Sequence, residues 1–190
     1  MDIEKVKNLL SNEFTFVYDE ANPIIQNLYL SSNAKVLDIG TGKANMAITL
    51  ALNDFDVITG EPMDDNSKYA KQRWLENAKK VSVDGKIKFT PFYAEKMPFE
   101  DNYFDAIFIQ GAIHHFNDSK ATLMECNRVL KNEGRICIFE PSREMLIWIR
   151  NSGDPDHPDS IDPREFAEEL NFSVELIKLS FYNAFILKKI

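Results

Sequence analysis

The stretch Ala34–Asn45, AKVLDIGTGKAN, decides how the rest of this 190-residue chain is read. Val36, Leu37 and Ile39 make a short apolar run with Asp38 near its end, and Gly40 and Gly42 open a turn into the apolar run Met46–Leu52. This order predicts a buried strand, a glycine turn and a helix start. Glycine lets the backbone come close to a ligand, and the exposed amides of a helix start attract polar or negative groups. A Gly-x-Gly also marks plain turns, so the segment alone fits either a nucleotide-sized pocket or a simple bend.

Working outward, strands and helices alternate. Residues 1–33 read as helical, with Ile3, Val6 and Leu10 on one face, Pro23 starting or kinking a second helix over Ile24–Leu30, and the aromatic group Phe14, Phe16 and Tyr18 between them. Phe55–Thr59 reads as a second strand, followed by a helix capped by Asp64 or Asp65 that turns Ala70, Trp74, Ala78 and Val81 inward. Ile87–Phe89 and Tyr103–Gln110 are the third and fourth strands. Asp118 caps a helix that stops at Gly134, and Arg135–Phe139 is the fifth strand. Such alternation signals a parallel sheet covered on both faces. Near the end, Asp162-Pro163-Arg164-Glu165 resembles a capping box for a short helix to Leu170. Val174–Leu179 and Asn183–Lys188 follow with only a brief turn between them, so they must pair antiparallel.

Composition narrows the function classes. With 44% hydrophobic and 27% charged residues the chain has the balance of a folded globular domain. A net charge of −8 argues against non-specific binding to nucleic acid or anionic membranes. The cluster Lys71, Arg73, Lys79, Lys80 and Lys86 is read as a solvated helix face. Cys126 and Cys137 lie among apolar neighbours outside any CxxC pair, which fits reduced core thiols. The first thirty residues carry scattered acids and no continuous apolar run, so the expectation is a cytoplasmic protein without signal peptide or membrane span.

In doubly wound sheets ligands lie beyond the carboxyl ends of the strands. Here those ends carry Asp38 with Gly40 and Gly42, then Glu61, then Tyr93-Ala94-Glu95, then Gln110-Gly111 with His114 and His115, then Glu140-Pro141. Glu61 stands about twenty residues past the glycine turn, where a carboxylate can accept from both hydroxyls of a ribose.

The segments VLDIGTGKANMAI, VITGEP, YAEKMPFEDNYFDAIFIQGAIHHF and NRVLKNEGRICIFEP together resemble the successive motifs of class I S-adenosylmethionine-dependent methyltransferases, closest to the small-molecule group of ubiquinone and menaquinone biosynthesis. The resemblance runs from about Lys35 to Pro141. It implies an α/β, Rossmann-like doubly wound sheet of seven strands, mostly parallel with an antiparallel C-terminal edge pair, in three α/β/α layers. It also implies a single domain: a helical cap over 1–33, a cofactor-binding core over 34–141, and a substrate-side segment with the final strand pair over 142–190. S-adenosyl-L-methionine is the implied cofactor. Asp38 matches the acid near its methionine moiety, and Gly40, Thr41 and Gly42 match the loop beneath it. Glu61 matches the ribose acid, Pro62 and Met63 the adenine flank, Ala94 the amide facing the ring, and Gln110 and Gly111 the neighbours of the sulfonium.

Three positions depart from the family pattern. Ala44 replaces a third glycine, a change that adds only a methyl group. Tyr93 stands where relatives often carry an aspartate for the adenine amine, which leaves either Glu95 in that role or a weaker selectivity for adenine. The usual Lys-Pro-Gly-Gly turn is Lys131-Asn132-Glu133-Gly134. A nicotinamide dinucleotide site fits less well, because that fingerprint wants glycine at position 45, which is Asn45, and no acid at Asp38.

Transfer of an activated methyl group needs mainly alignment and exclusion of water, with a general base only for a protonated acceptor. His114 is the candidate base; His115, Tyr18 and Arg143 are candidate substrate contacts. Asp154, Asp156, His157 and Asp159 fall in a Pro- and Asp-rich loop read as solvated turns, so no metal site is expected. The absence of an Asn-Pro-Pro-Tyr-like segment after strand four and of a larger thiol set leaves a small organic acceptor, not nucleic acid, as the expected partner, with a monomer or a homodimer both compatible. A non-catalytic protein holding S-adenosylmethionine or S-adenosylhomocysteine, as sensor or partner subunit, is the alternative.

Overall fold

A computed structural model describes residues 2–70 and 73–190. The chain divides into two compact units, one ending at Tyr93 and one starting at Ala94. Lys71 of the basic cluster lies outside the described residues.

In the first unit, α1 (Ile3–Leu9) is capped by Asp2 and α2 (Asn12–Asn27) by Ser11, whose hydroxyl accepts from the Phe14 amide. Phe14, Val17, Ala21, Ile24 and Ile25 recur at helical spacing on α2 and are all buried. The aromatic group therefore sits on this helix rather than ahead of it. Pro23 lies inside α2 and does not begin a new helix. It is on the exposed side, where losing one backbone donor is offset by the buried face around it.

Strand β1 (Val36–Ile39) is buried along its whole length and pairs in parallel with β2 (Val57–Gly60), which pairs in parallel with β3 (Ile87–Phe89). Helix α3 (Asn45–Leu52) follows the glycine turn, as the pattern requires. The helix expected from Asp64 or Asp65 begins only at Trp74, as α4 (Trp74–Lys80). Both acids are used locally: Asp64 accepts from the Tyr93 hydroxyl at 2.5 Å and Asp65 from the Ser67 amide at 2.7 Å. Arg73, with φ 58°, then sets the helix start. Arg73 pairs with Glu76 and Lys86 with Asp54, while Lys79 and Lys80 are solvated, so the described part of the basic cluster is a paired or hydrated surface.

In the second unit, β4 (Phe104–Gln110) pairs in parallel with β5 (Leu130–Pro141). Helix α5 (Ser119–Val129), capped by Asp118, ends five residues before the expected Gly134, because Leu130 already pairs with Phe104. The register then jumps from Leu130 to Arg135, so Lys131–Gly134 is a bulge within β5. Gly134 is required there: a Cβ would lie 2.6 Å from the Leu130 side chain and 3.0 Å from the Asp105 carbonyl.

Helix α6 (Arg143–Asn151) is capped by Ser142. The helix expected to reach Leu170 is the single turn α7 (Arg164–Ala167), since Asp162 accepts from the Arg164 amide and guanidinium instead of completing a capping box. Strands β6 (Phe172–Lys178) and β7 (Tyr182–Lys189) pair antiparallel, and β7 also runs antiparallel to β5, giving the order β4-β5-β7-β6 in this unit. Among the described residues no helix is long and apolar enough to cross a membrane.

Candidate functional site

The glycine turn of the first unit is held from several sides. Gly40 and Gly42 have φ of 91° and 45°, backbone that a side chain rarely tolerates. Ala44 has φ 64° and adopts the same left-handed region with a methyl group, so the replacement is a strained one rather than a neutral addition. It also stands at the start of α3 without a side-chain cap, which leaves the first-turn amides to other partners. Lys43 pairs with Glu13 on α2, and the Asn77 amide donates to the Lys43 carbonyl at 3.1 Å.

Two buried acids border this turn. Glu61, just past β2, accepts the Gly42 amide at 3.0 Å and thereby ties the loop to the end of the next strand. Asp38 is 1% exposed, and its Oδ2 accepts from the Thr59 hydroxyl at 2.8 Å. With that proton committed, Thr41 donates to Thr59 at 2.9 Å, forming a chain that runs from the loop to the carboxylate. The other oxygen, Oδ1 of Asp38, is buried with no hydrogen-bond partner among the described residues. Burial, opposed by the Thr59 bond and reinforced by the Glu61 charge, pushes the Asp38 carboxyl up to about 7.

An orphaned buried carboxylate oxygen is costly until a donor or cation meets it. S-adenosylmethionine carries both an ammonium and a sulfonium centre, so Asp38 fits that cofactor by charge. Of the other family positions in this unit, Thr41 is buried in the hydroxyl chain, Pro62 is half-buried, and Met63 is exposed. Tyr93 is half-exposed and donates to Asp64. Tyr18 packs against Phe14 at 5.8 Å between ring centres and under the Lys7 ammonium.

The second unit holds the remaining positions. Ala94 is buried, and Glu95 accepts from the Asp118 amide at 3.4 Å, beside the start of α5. The Gln110 amide lies 3.3 Å from the Tyr182 hydroxyl, and Gly111, with φ 55°, donates to the Phe139 carbonyl at 2.8 Å. Arg143 is exposed at the first position of α6.

His114 is not at an open mouth. Its side chain is 0% exposed, its Nδ1 lies 2.8 Å from Glu140 Oε2, and its Nε2 lies 3.2 Å from Nε2 of His157. A general base needs a nitrogen facing its substrate, and both ring nitrogens of His114 face protein groups. His115 sits against both rings, at 4.2 Å from His114 and 5.0 Å from His157. His157 is buried, with its Nδ1 3.0 Å from Asp154; burial holds it below the ordinary imidazole range and the Asp154 bond opposes that shift. The sequence reading placed His157 in a solvated turn. The one local hint otherwise was its position among prolines and aspartates that fix a loop, but nothing local shows which residue the loop reaches.

The family described as a methyltransferase domain matches residues 37–138. The ubiquinone/menaquinone biosynthesis C-methyltransferase of Rickettsia felis is 33% identical over 70% of this chain and 53% of its own length. The demethylmenaquinone methyltransferase of Thermotoga maritima is 39% identical over 56% of this chain and 43% of its own. This chain thus spans about half the length of the curated relatives it matches. A crystal structure described as an S-adenosylmethionine-dependent methyltransferase from Aquifex aeolicus aligns over 98% of both chains with a TM-score of 0.69 at 18% identity, which shows the shared fold. That fold is the Rossmann-like α/β one of seven strands, mostly parallel and closed by antiparallel C-terminal strands, as the motifs led one to expect. With the family match covering more than half of its residues, this chain belongs to the methyltransferase domain family.

Proposed function

We propose that this protein transfers the methyl group of S-adenosylmethionine to a small organic acceptor. The observation that carries the proposal is the pair of buried acids at the glycine turn: Glu61 bonded to the Gly42 amide, and Asp38 with one oxygen lacking a partner among the described residues. In this reading Asp38 meets the cationic methionine end and Glu61 accepts from the ribose, each charged bond contributing about 1.5 to 3 kcal/mol. Gly40, Thr41 and Gly42 underlie the ligand, and Pro62 and Met63 flank its base. Ala94, Glu95, Gln110 and Gly111 keep the roles that their motif positions imply, with no further support from the geometry.

When bound, the cofactor supplies a methyl group already activated as a sulfonium, so the protein's part is alignment and exclusion of water. The acceptor class rests on the relatives, two of which are named for methylating quinone precursors or their biosynthetic intermediates. Tyr18, His115 and Arg143 are the acceptor contacts of this proposal. The enclosure of His114 weakens its part as base, so a proton released by the acceptor would go to another group.

The test is a labelled-methyl assay over amines, thiols, phenols and carbon acids, with cell extract as a further acceptor source. Cofactor-dependent transfer to at least one small molecule is expected. Tight binding of both cofactor forms with no transfer to any acceptor would sink the catalytic reading.

A further inference from the structure

We infer that His114, His115 and His157 form a binding site for a divalent transition-metal ion, of the Zn2+ type. The inference shares His115 with the acceptor contacts proposed above, while every residue in it belongs to the second unit and none is assigned to the cofactor.

The argument starts from proton placement. Both oxygens of Glu140 lie within 2.9 Å of His114 Nδ1, and a carboxylate only accepts, so that nitrogen carries the proton. Asp154 fixes His157 the same way, with Oδ2 at 3.0 Å from Nδ1. In the neutral rings both Nε2 atoms are then acceptors, and they face each other at 3.2 Å. Two lone pairs at that distance repel unless a cation lies against both. Two imidazole nitrogens on one tetrahedral Zn2+, each at about 2.0 to 2.1 Å, are separated by roughly 3.3 Å. The spacing across His114 and His157 is therefore that of neighbouring ligands on one ion.

His115 completes the set. One nitrogen from each of the three rings can be chosen so that all lie within 4.8 Å of one another, close enough for small side-chain rotations to bring them onto one ion. A carboxylate behind the ring is also how metal-binding histidines are oriented and made more basic. Glu140 is itself held in place by the Ile161 amide at 3.0 Å and is 1% exposed, so it is a fixed support. Three imidazoles favour Zn2+, Cu2+ or Ni2+ over Mg2+ or Ca2+. Three protein ligands leave one position for water or an oxygen or nitrogen of a small molecule.

A proton shared between His114 and His157 also accounts for the 3.2 Å approach, but gives His115 no part. The experiment separates the two. Tag-free, chelator-stripped protein is dialysed against ZnSO4 and its metal counted, then titrated with Co2+ and followed by visible absorption. One Zn2+ per chain is expected, with no retention of Mg2+. Visible Co2+ bands should appear without a sulfur charge-transfer band, because Cys126 and Cys137 are fully buried outside the cluster. His157→Ala should weaken Zn2+ binding at least 100-fold, and Asp154→Asn about 10- to 100-fold. If His157→Ala melts early, His115→Ala serves instead, and it too should weaken Zn2+ binding. Zinc content well below one per chain in the wild type, or unchanged in both histidine variants, overturns the site and leaves the shared proton. Binding of S-adenosylhomocysteine, measured on the same samples, reports on the methyltransferase reading separately.

Discussion

The glycine turn of the first unit and the histidine cluster of the second are both buried polar groupings, built in opposite ways. Asp38, Gly40 and Gly42 lie within five residues, and Glu61 joins them because parallel pairing sets Ile39 beside Gly60. In the cluster, His114 meets His157 across 43 residues and Glu140 across 26. A site made by one strand, its turn and the next strand's end leaves a short signature. A site made by a loop folding back onto strand ends leaves none.

The two also differ in how their charge is balanced. Glu140 and Asp154 each face an imidazole, whereas Asp38 keeps one oxygen without a partner among the described residues. The largest expected effect follows. A carboxyl raised to about 7 in the folded state, against 3.8 when unfolded, binds more protons in the native protein. Its contribution is thus fully present below about pH 4 and is lost as pH rises through 7. Asp38→Asn mimics the protonated acid and removes this dependence. Urea midpoints measured from pH 4 to 8 should show the wild type losing roughly 4 kcal/mol relative to the variant, at about 1.4 kcal/mol per pKa unit. Parallel curves would mean that the Asp38 charge is balanced in the folded protein.

Gly60→Ala tests the link from β2 to Glu61. A Cβ there would meet the Thr90 carbonyl at 2.1 Å and the Phe92 ring at 2.2 Å, so backbone must move. A loss of about 3 kcal/mol in stability is expected from denaturant unfolding. A loss under about 1 kcal/mol would show that this strand end is looser than the comparison requires.

The smallest effect is at Ala44. Relief of its left-handed backbone by Ala44→Gly is worth about 1 to 2 kcal/mol, partly offset by the entropy of a free glycine. The midpoint of urea unfolding should rise by an amount equal to about 0.5 to 1 kcal/mol with an unchanged slope. A fall would mean that the buried methyl group contributes more than its strain costs.

How much was readable from sequence follows the same divide. Strands β1, β3, β4 and the final antiparallel pair were legible because apolar runs and turn residues are local. The start of α4 was not, since Asp64 and Asp65 look like caps until Tyr93 and Ser67 are seen to take them. Gly134 looked like a helix stop, yet it serves a bulge whose need arises from Leu130 and Asp105. Pro23 read as starting or kinking a second helix, and only the buried face of α2 shows why one helix continues through it. The candidate cofactor residues were readable as a motif, but the strain at Ala44 and the lone oxygen of Asp38 belong to the folded backbone.

The central claim is that Asp38 and Glu61 hold one adenosyl ligand at the glycine turn, and calorimetric titration with S-adenosylhomocysteine tests it most directly. Wild-type protein should bind one equivalent, and Glu61→Ala, which loses the tie to Gly42 and the proposed ribose bonds, should bind about 100-fold more weakly while remaining folded by circular dichroism. No heat of binding by the wild type at millimolar ligand, or equal affinity in the folded variant, would contradict the account.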